Sequence, residues 1–315
     1  MTVEQAAVRV MYENYNSLGL SEDDVFLIRK YNLTHVLDKI KDQQKLLEEH
    51  EQHLEEALAR LEKDLEAARE AQMSLLPKEL LGVPQIEFKA KFFPSQFVSG
   101  DIYNVFRLDE NHIGLYHIDI SGHGVPAALF SVSLSQMLNT TISRRNLLKV
   151  PVQNPPYYKI NSPDRVIGIL NEDQSFERYG IYFTMIYMII NLKTNTLKYT
   201  RAGHNPPLII RNDGQVESFD TGGFPVGWNF PREDPVVTLE LNKGDRIFMY
   251  SDGITEAAND SGEMYTDKRL TKILKESRDI DLDESLNRVI HSLQSFTGKD
   301  RFDDDVSLLG LSWQK

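Results

Sequence analysis

The sequence predicts an α/β sandwich of two mainly antiparallel sheets, preceded by an N-terminal helical coiled coil. Apolar residues recur in a 4-3 spacing from residue 33 to 75, with no Gly or Pro until Pro77, and a sustained 3.5-residue period supercoils helices. From Pro77 onward the period changes to strand-like alternation. The predicted elements then run strands, two helices, more strands, two helices and a last strand, which is not a βαβ repeat.

Ser21-Glu22-Asp23-Asp24 reads as an N-cap followed by acidic first-turn residues. Phe26, seven residues before Leu33, shares the face that the coil continues. Residues 2–17 read as a separate helix ended near Asn16-Ser17-Leu18-Gly19, so 1–32 forms a short N-terminal helical segment. The coil, 33–76, places Leu33, Leu37, Ile40, Gln44, Leu47, Glu51, Leu54, Leu58, Leu61, Leu65, Ala68, Gln72 and Leu75 on one seam. A helix of that length extends roughly 65 Å. Polar Gln44, Glu51 and Gln72 at a positions fix register and limit strand number, which favours a parallel homodimer over a long helix packed within the same chain.

In the remaining residues, 77–315, Ile86, Phe88, Ala90 and Phe92 alternate as in a half-buried strand. Ile113, Leu115 and His117 share the face of a strand that delivers Asp119 at its end. A helix follows over about 125–143, then a basic, proline-containing loop over 144–160, then a helix from Ser162-Pro163-Asp164, with Ser162 capping and Pro163 at N1. Strands are predicted near 181–190, 196–201, 207–211, 236–242 and 246–251, helices over 266–276 and 283–296, and a last strand over 306–313.

The 315 residues are 41% apolar, enough for a sizeable core, and the net charge of −12 argues against a nucleic-acid footprint. There is no cysteine, hence no disulfide, thiolate zinc site or thiol nucleophile. The first residues lack the basic start and apolar core of a signal peptide, and no run reaches a membrane span, so a cytoplasmic protein with no membrane partner is expected.

The chemistry is carried by four aspartates at predicted strand ends: Asp101, Asp119, Asp252 and Asp304. Carboxylates converging on one rim repel one another, and divalent cations remove that cost. Oxygen ligands without cysteine or paired histidines favour Mg²⁺ or Mn²⁺ over Zn²⁺. Asp119 opens Asp-Ile-Ser-Gly-His-Gly, whose glycines allow a tight turn that lets the Ile120 carbonyl face a cation beside the Asp119 carboxylate. A carboxylate bridging two cations suits a hydrolase in which the ions activate water and neutralise phosphoryl oxygens. Taken singly, Asp119 reads equally as a turn residue, Asp252 reads more readily as a satisfied turn aspartate than as a ligand, and Asp304 reads as part of a solvated acidic run.

Several motifs occur together and in order: Gln72-Met73-Ser74-Leu75-Leu76-Pro77, Ser99-Gly100-Asp101-Ile102-Tyr103, Asp119 to Ala128, Ala202-Gly203-His204-Asn205-Pro206-Pro207, Gly244-Asp245, Ser251-Asp252-Gly253-Ile254-Thr255-Glu256 and Asp304-Asp305-Val306-Ser307. In these the chain, from about Ala71 to the C-terminus, resembles the bacterial PPM (protein phosphatase 2C-like) serine/threonine phosphatases. Within that branch it looks like the sporulation and stress-response regulators that dephosphorylate anti-sigma-factor antagonists. The resemblance implies an αββα sandwich holding two Mn²⁺ or Mg²⁺ ions. It assigns Asp119 as bridging ligand with the Ile120 carbonyl beside it, Asp252 and Asp304 to one metal site and Asp101 to the other. Asp119 and Asp252 would be catalytic through a metal-activated water, and Asp305 a neighbour rather than a ligand. Eukaryotic relatives carry a histidine two residues after the bridging aspartate; Ser121 stands there, and His123 occupies a different offset. No phosphate-binding arginine stands near Asp101, and His204 reads as a turn or core-edge residue.

The resemblance also implies that the N-terminal helices dimerise and control helices beside the metal site, with an activator protein as a further partner. The expected function is a protein phosphoserine/phosphothreonine phosphatase acting on a phosphorylated regulatory protein. A non-catalytic dimeric scaffold and a hydrolase of small phosphate esters are the competing readings.

Overall fold

The computed structural model describes residues 21–315 except 78–79, 123, 142–145, 174–179, 229 and 231–232; within the first helix the side chains of 22, 28–29, 32–34 and 36–38 also lie outside the description. The expected helix over 2–17 and the side chains of Leu33 and Leu37 fall outside it. Two compact units are present, Met1–Asp64 and Leu65–Lys315.

The first unit is dominated by helix α1, Glu22–Met73, whose final turns belong to the second unit. Its start follows the capping signal: Asp24 N donates to Ser21 Oγ at 3.2 Å, and Ser21 N donates back to the Asp24 carboxylate at 3.1 Å. Leu47, Leu54, Leu58 and Leu61 are 56–71% exposed among the described residues.

In the second unit come β1 (Ile86–Phe93), β2 (Ile102–Arg107), β3 (His112–Ile120), α2 (Val125–Met137), β4 (Lys149–Pro151), β5 (Tyr158–Ile160), α3 (Pro163–Asp173), β6 (Phe183–Asn191), β7 (Thr196–Ala202), β8 (Leu208–Ile210), β9 (Val216–Glu217), β10 (Val237–Glu240), β11 (Arg246–Tyr250), α4 (Asp252–Thr255), α5 (Thr266–Glu276), α6 (Leu282–Thr297) and β12 (Val306–Trp313). One five-stranded sheet has the order β1-β12-β11-β8-β9, the other β10-β7-β6-β3-β2, and every pairing within them is antiparallel. α5 and α6 pack on the first sheet; α2 and α3 pack on the second.

The expected sandwich is therefore present. The stretch 144–160, read from its prolines as a loop, contains the β4–β5 hairpin instead: Lys149 pairs with Ile160 and Pro151 with Tyr158. A proline at a strand end loses no ladder bond that the pairing needs.

Packing follows the periodicities. Leu270 and Leu274 on α5, and Leu282, Leu286, Val289 and Leu293 on α6, are fully buried against Phe248, Tyr250 and Leu308, each burial contributing about 1.5–3 kcal/mol. Asp281 caps α6 by accepting from Asp283 N and Glu284 N, and Gly298 closes it at φ 68°.

Candidate functional site

Antiparallel pairing brings the four aspartates to one rim. Ile102 lies opposite Ile118, so the residue entering β2, Asp101, stands beside the end of β3 that carries Asp119. Tyr250 lies opposite Leu308, so Asp252, leaving β11, stands beside Asp304, two residues before β12. One pair thus belongs to each sheet. They meet across the gap: Asp119 is in hydrogen-bonding reach of Asp101 and feels the charges of Asp252, Asp304 and Asp305.

The electrostatics record the crowding. Burial, then Asp252 and Asp304, push the Asp119 carboxyl up to about 7. Burial, then Asp304 and Glu256, raise Asp252 to about 6. Asp101 is held well above the usual carboxylate range, first by burial and then by Asp119 and Asp305, against the lowering effect of the Ser307 and Ser251 hydroxyls. Such a group of carboxyls either retains protons or takes up cations. The donors are all oxygen, which suits a hard divalent cation. Among the described residues, no three acidic or histidine side chains are already closed around a single point. The set fits such an ion in its chemistry.

Asp305 has a separate task, in keeping with its reading as a neighbour rather than a ligand. Its Oδ1 accepts from Ser95 N at 2.7 Å and Ser95 Oγ at 3.0 Å, and its Oδ2 from Ser99 Oγ at 2.6 Å and Gly100 N at 2.9 Å. It fastens the loop that carries Asp101. Gln72 holds the same loop from the other side. Its Nε2 donates to Ser99 O at 2.6 Å and Ser131 Oγ at 2.9 Å, while its Oε1 accepts from Ser99 N at 3.0 Å. Read from the heptads as a polar coil position, Gln72 is buried within the second unit.

Close backbone approaches complete the rim. A Cβ on Gly253 would meet the Asp305 carbonyl at 2.1 Å, so the turn after Asp252 needs glycine. A Cβ on Gly100 would stand 3.0 Å from the Ile120 carbonyl. Ser121 is a turn residue: its N donates to Tyr182 O at 2.9 Å and its hydroxyl accepts from Tyr182 N at 3.1 Å. His123 lies outside the described residues.

His204 is 2% exposed and joins His117, which is fully buried. His117 Nδ1 and His204 Nε2 are 2.8 Å apart, and burial pushes His117 down to about 3. A separation of 87 positions hid this pair from the sequence, although His117 on an apolar strand face was a usable signal. A cavity of about 280 Å³ opens beside Asp304, lined by Gly253, Glu256, Lys299 and Arg301 among others. Lys299 donates to Asp303 at 2.6 Å.

The chain is 26% identical over 237 residues to protein IcfG of Synechocystis sp., covering 71% of this chain and 37% of that protein. It is 25% identical to the phosphoserine phosphatase RsbP of Bacillus subtilis over 232 residues, 74% of this chain and 53% of that protein. To the phosphoserine phosphatase RsbU of Bacillus subtilis it is 25% identical over 309 residues, 96% of this chain and 83% of that protein. The chain thus spans about a third to a half of IcfG and RsbP. The SiaA-PP2C domain of Pseudomonas aeruginosa superposes with a TM-score of 0.67 at 16% identity, over 82% of this chain and 99% of that one, which shows a PP2C-like fold. The PP2C phosphatase domain of SpoIIE from Bacillus subtilis superposes with a TM-score of 0.59 at 21% identity, over 73% of this chain and 64% of that one. The model of one family, Stage II sporulation protein E (SpoIIE), matches residues 109–314, well over half of the sequence, and to that family the chain belongs.

Proposed function

We propose that the protein is a Mn²⁺- or Mg²⁺-dependent protein phosphatase for phosphoserine or phosphothreonine, with two ions held by Asp101, Asp119, the Ile120 carbonyl, Asp252 and Asp304. The observation that carries this reading is Asp119: a carboxyl on one sheet raised to about 7 by burial and by two aspartates of the other sheet. Its ionised form needs cations beside it. When bound, such ions supply Lewis acidity and an activated water. The chain's own residues do the positioning: Asp305 and Gln72 hold the Asp101 loop, Gly253 lets the Asp252 turn approach β12, and Ser121 fixes the turn after Asp119. RsbP and RsbU are named phosphoserine phosphatases, and RsbX, a protein of similar fold (TM-score 0.53), is described in complex with magnesium. These support the activity and the cation here.

The substrate in this reading is a phosphorylated anti-sigma-factor antagonist in a partner-switching pathway. We assign 1–32 as an N-terminal helical segment that receives an activator protein, 33–76 as a dimerising coiled coil and 77–315 as the phosphatase domain. The exposed leucine seam of α1 supports the homodimer. The state of the coil would act through the last turn of α1, where Gln72 holds Ser99 and Ser131, and so through α2 and the Asp101 loop. Among the described residues no helix is long and apolar enough to cross a membrane.

The test is phosphate release from a phosphoserine peptide and an aryl phosphate with and without Mn²⁺, in wild type, Asp119→Asn and Asp252→Asn. Mn²⁺-dependent release from the peptide, lost in both variants, is expected. Release from the aryl ester alone would replace the reading with a small-ester hydrolase, and no release with or without a coil-binding activator would favour a scaffold.

A further inference from the structure

A chain of buried polar groups links the two sheets behind the carboxylate rim. Thr184 Oγ1 on β6 lies 2.8 Å from His204 Nδ1. His204 Nε2 lies 2.8 Å from His117 Nδ1. His117 Nε2 lies 2.9 Å from Ser307 Oγ on β12, and Ser307 Oγ donates to Asp101 Oδ2 at 2.5 Å. Apart from Thr184, at its outer end, every member is buried.

We infer that Thr184, His204, His117 and Ser307 form a one-directional hydrogen-bond chain that positions Asp101, with both histidines protonated on Nε2. This rests on the assignment of Asp101 as a cation ligand.

Proton counting fixes the direction. An ionised Asp101 has no hydrogen, so the single Ser307 hydrogen goes to Oδ2. The Ser307 oxygen must then accept from His117, which places the His117 hydrogen on Nε2. Only one hydrogen fits between two ring nitrogens 2.8 Å apart, so His117 Nδ1 accepts and His204 Nε2 donates. His204 Nδ1 in turn accepts from the Thr184 hydroxyl. His204, His117 and Ser307 each have a donor and an acceptor in this order, which a buried polar network requires.

The consequence falls on Asp101. One of its oxygens is committed to Ser307, and the residue is held at its backbone by Asp101 N donating to Ser99 Oγ at 3.0 Å. The same carboxyl lies within hydrogen-bonding reach of Asp119. Ser307 lies on β12 and Asp101 enters β2 of the opposite sheet, so the chain fixes the ligand's rotamer from across the sandwich. Partners of this kind behind a ligand typically change cation affinity by about 10–100-fold.

The test uses the full-length, Mg²⁺-loaded protein. Long-range ¹H–¹⁵N spectra of ¹⁵N-histidine protein should show two buried rings, both with the hydrogen on Nε2 and a hydrogen-bonded Nδ1. Either ring protonated on Nδ1, or doubly protonated, overturns the inference without any variant. In parallel, calorimetric Mg²⁺ titration should show affinity weakened about tenfold in Ser307→Ala and restored in Ser307→Thr, which keeps the hydroxyl. Wild-type affinity in Ser307→Ala, with affinity lost in Asp101→Asn, overturns the positioning role. Wild-type affinity in Asp101→Asn overturns the ligand assignment itself and the positioning role with it, while the tautomer spectra separate that failure from a wrong proton order.

Discussion

Asp305 Oδ2 accepts from Ser99 Oγ at 2.6 Å across 206 residues of sequence, so an aspartate beside the rim, and none of the four read as ligands, determines where Asp101 stands. Four donors share its two oxygens. Replacing it with alanine leaves Ser95 N, the Ser99 hydroxyl hydrogen and Gly100 N without the acceptor they use, at about 1–3 kcal/mol for each group that stays buried. Asp305→Ala should therefore raise the Mn²⁺ concentration for half-maximal phosphatase activity by at least about tenfold, with a lower melting temperature. An unchanged Mn²⁺ titration in a folded Asp305→Ala protein would show that the loop holds itself.

The raised Asp119 carboxyl predicts a pH-dependent stability in the absence of divalent cations. Its folded value of about 7 lies above the roughly 3.9 expected of an unfolded chain. The folded state therefore binds the proton more tightly, and the stabilising contribution present below about pH 4 is lost as pH rises through 7. In chelator, wild type should lose more melting temperature between pH 5 and 7.5 than Asp119→Asn, and added Mg²⁺ should shrink the difference. Identical slopes for the two proteins would refute the shift.

Gly253 is expected to tolerate nothing larger. Gly253→Ala drives a methyl group onto the Asp305 carbonyl, a backbone atom that cannot swing aside. A destabilisation of about 3 kcal/mol is expected in denaturant unfolding, together with reduced activity, because Asp252 and Asp305 move apart. A variant as stable and active as wild type would mean that the turn relaxes freely.

Arg211 and Asp245 form an ion pair in which Asp245 is almost fully buried. Arg211 Nη1 lies 2.7 Å from Asp245 Oδ2, and Asn212 N and Asn242 N donate to the same carboxylate. Arg211→Ala strands that charge, and a loss of about 3–5 kcal/mol is expected. Arg211→Ala with Asp245→Asn should recover part of it; no recovery in the double variant would assign the loss to packing.

Helix α1 offers a test of the coil. Leu58→Pro removes a helical hydrogen bond and costs about 3 kcal/mol locally. Light scattering should then give the mass of one chain where wild type gives two, and regulation should be lost. A dimeric, normally regulated Leu58→Pro protein would end the coil proposal.

The sequence disclosed what period and turn chemistry control. Thr266–Glu276 and Val306–Trp313 appear with the bounds expected of them, because an amphipathic stripe and a largely apolar strand each leave one solution. The hairpin Lys149–Pro151/Tyr158–Ile160 was illegible, since its prolines and charges carry the composition of a loop. The four rim aspartates could be named because strand ends converge. The work of Asp305 could not, because three successive aspartates look like a solvated run until pairing shows Ser95 and Ser99 facing the last of them. Gln72 was hidden by its own regularity: a polar residue in a heptad reads as a register device, and only tertiary contacts reveal it clasping Ser99. His117 and His204 depended on long-range pairing that no local pattern encodes.

The rim aspartates come in two pairs, one from each sheet, and nothing covalent along the rim ties the pairs together. A slide of one sheet over the other by a fraction of an ångström alters the spacing between the pairs while leaving each pair intact. The hydrogen bonds that cross between the layers, from Ser99 and Gly100 to Asp305 and from Ser307 to Asp101, are what oppose that slide and keep the two pairs of charges in register.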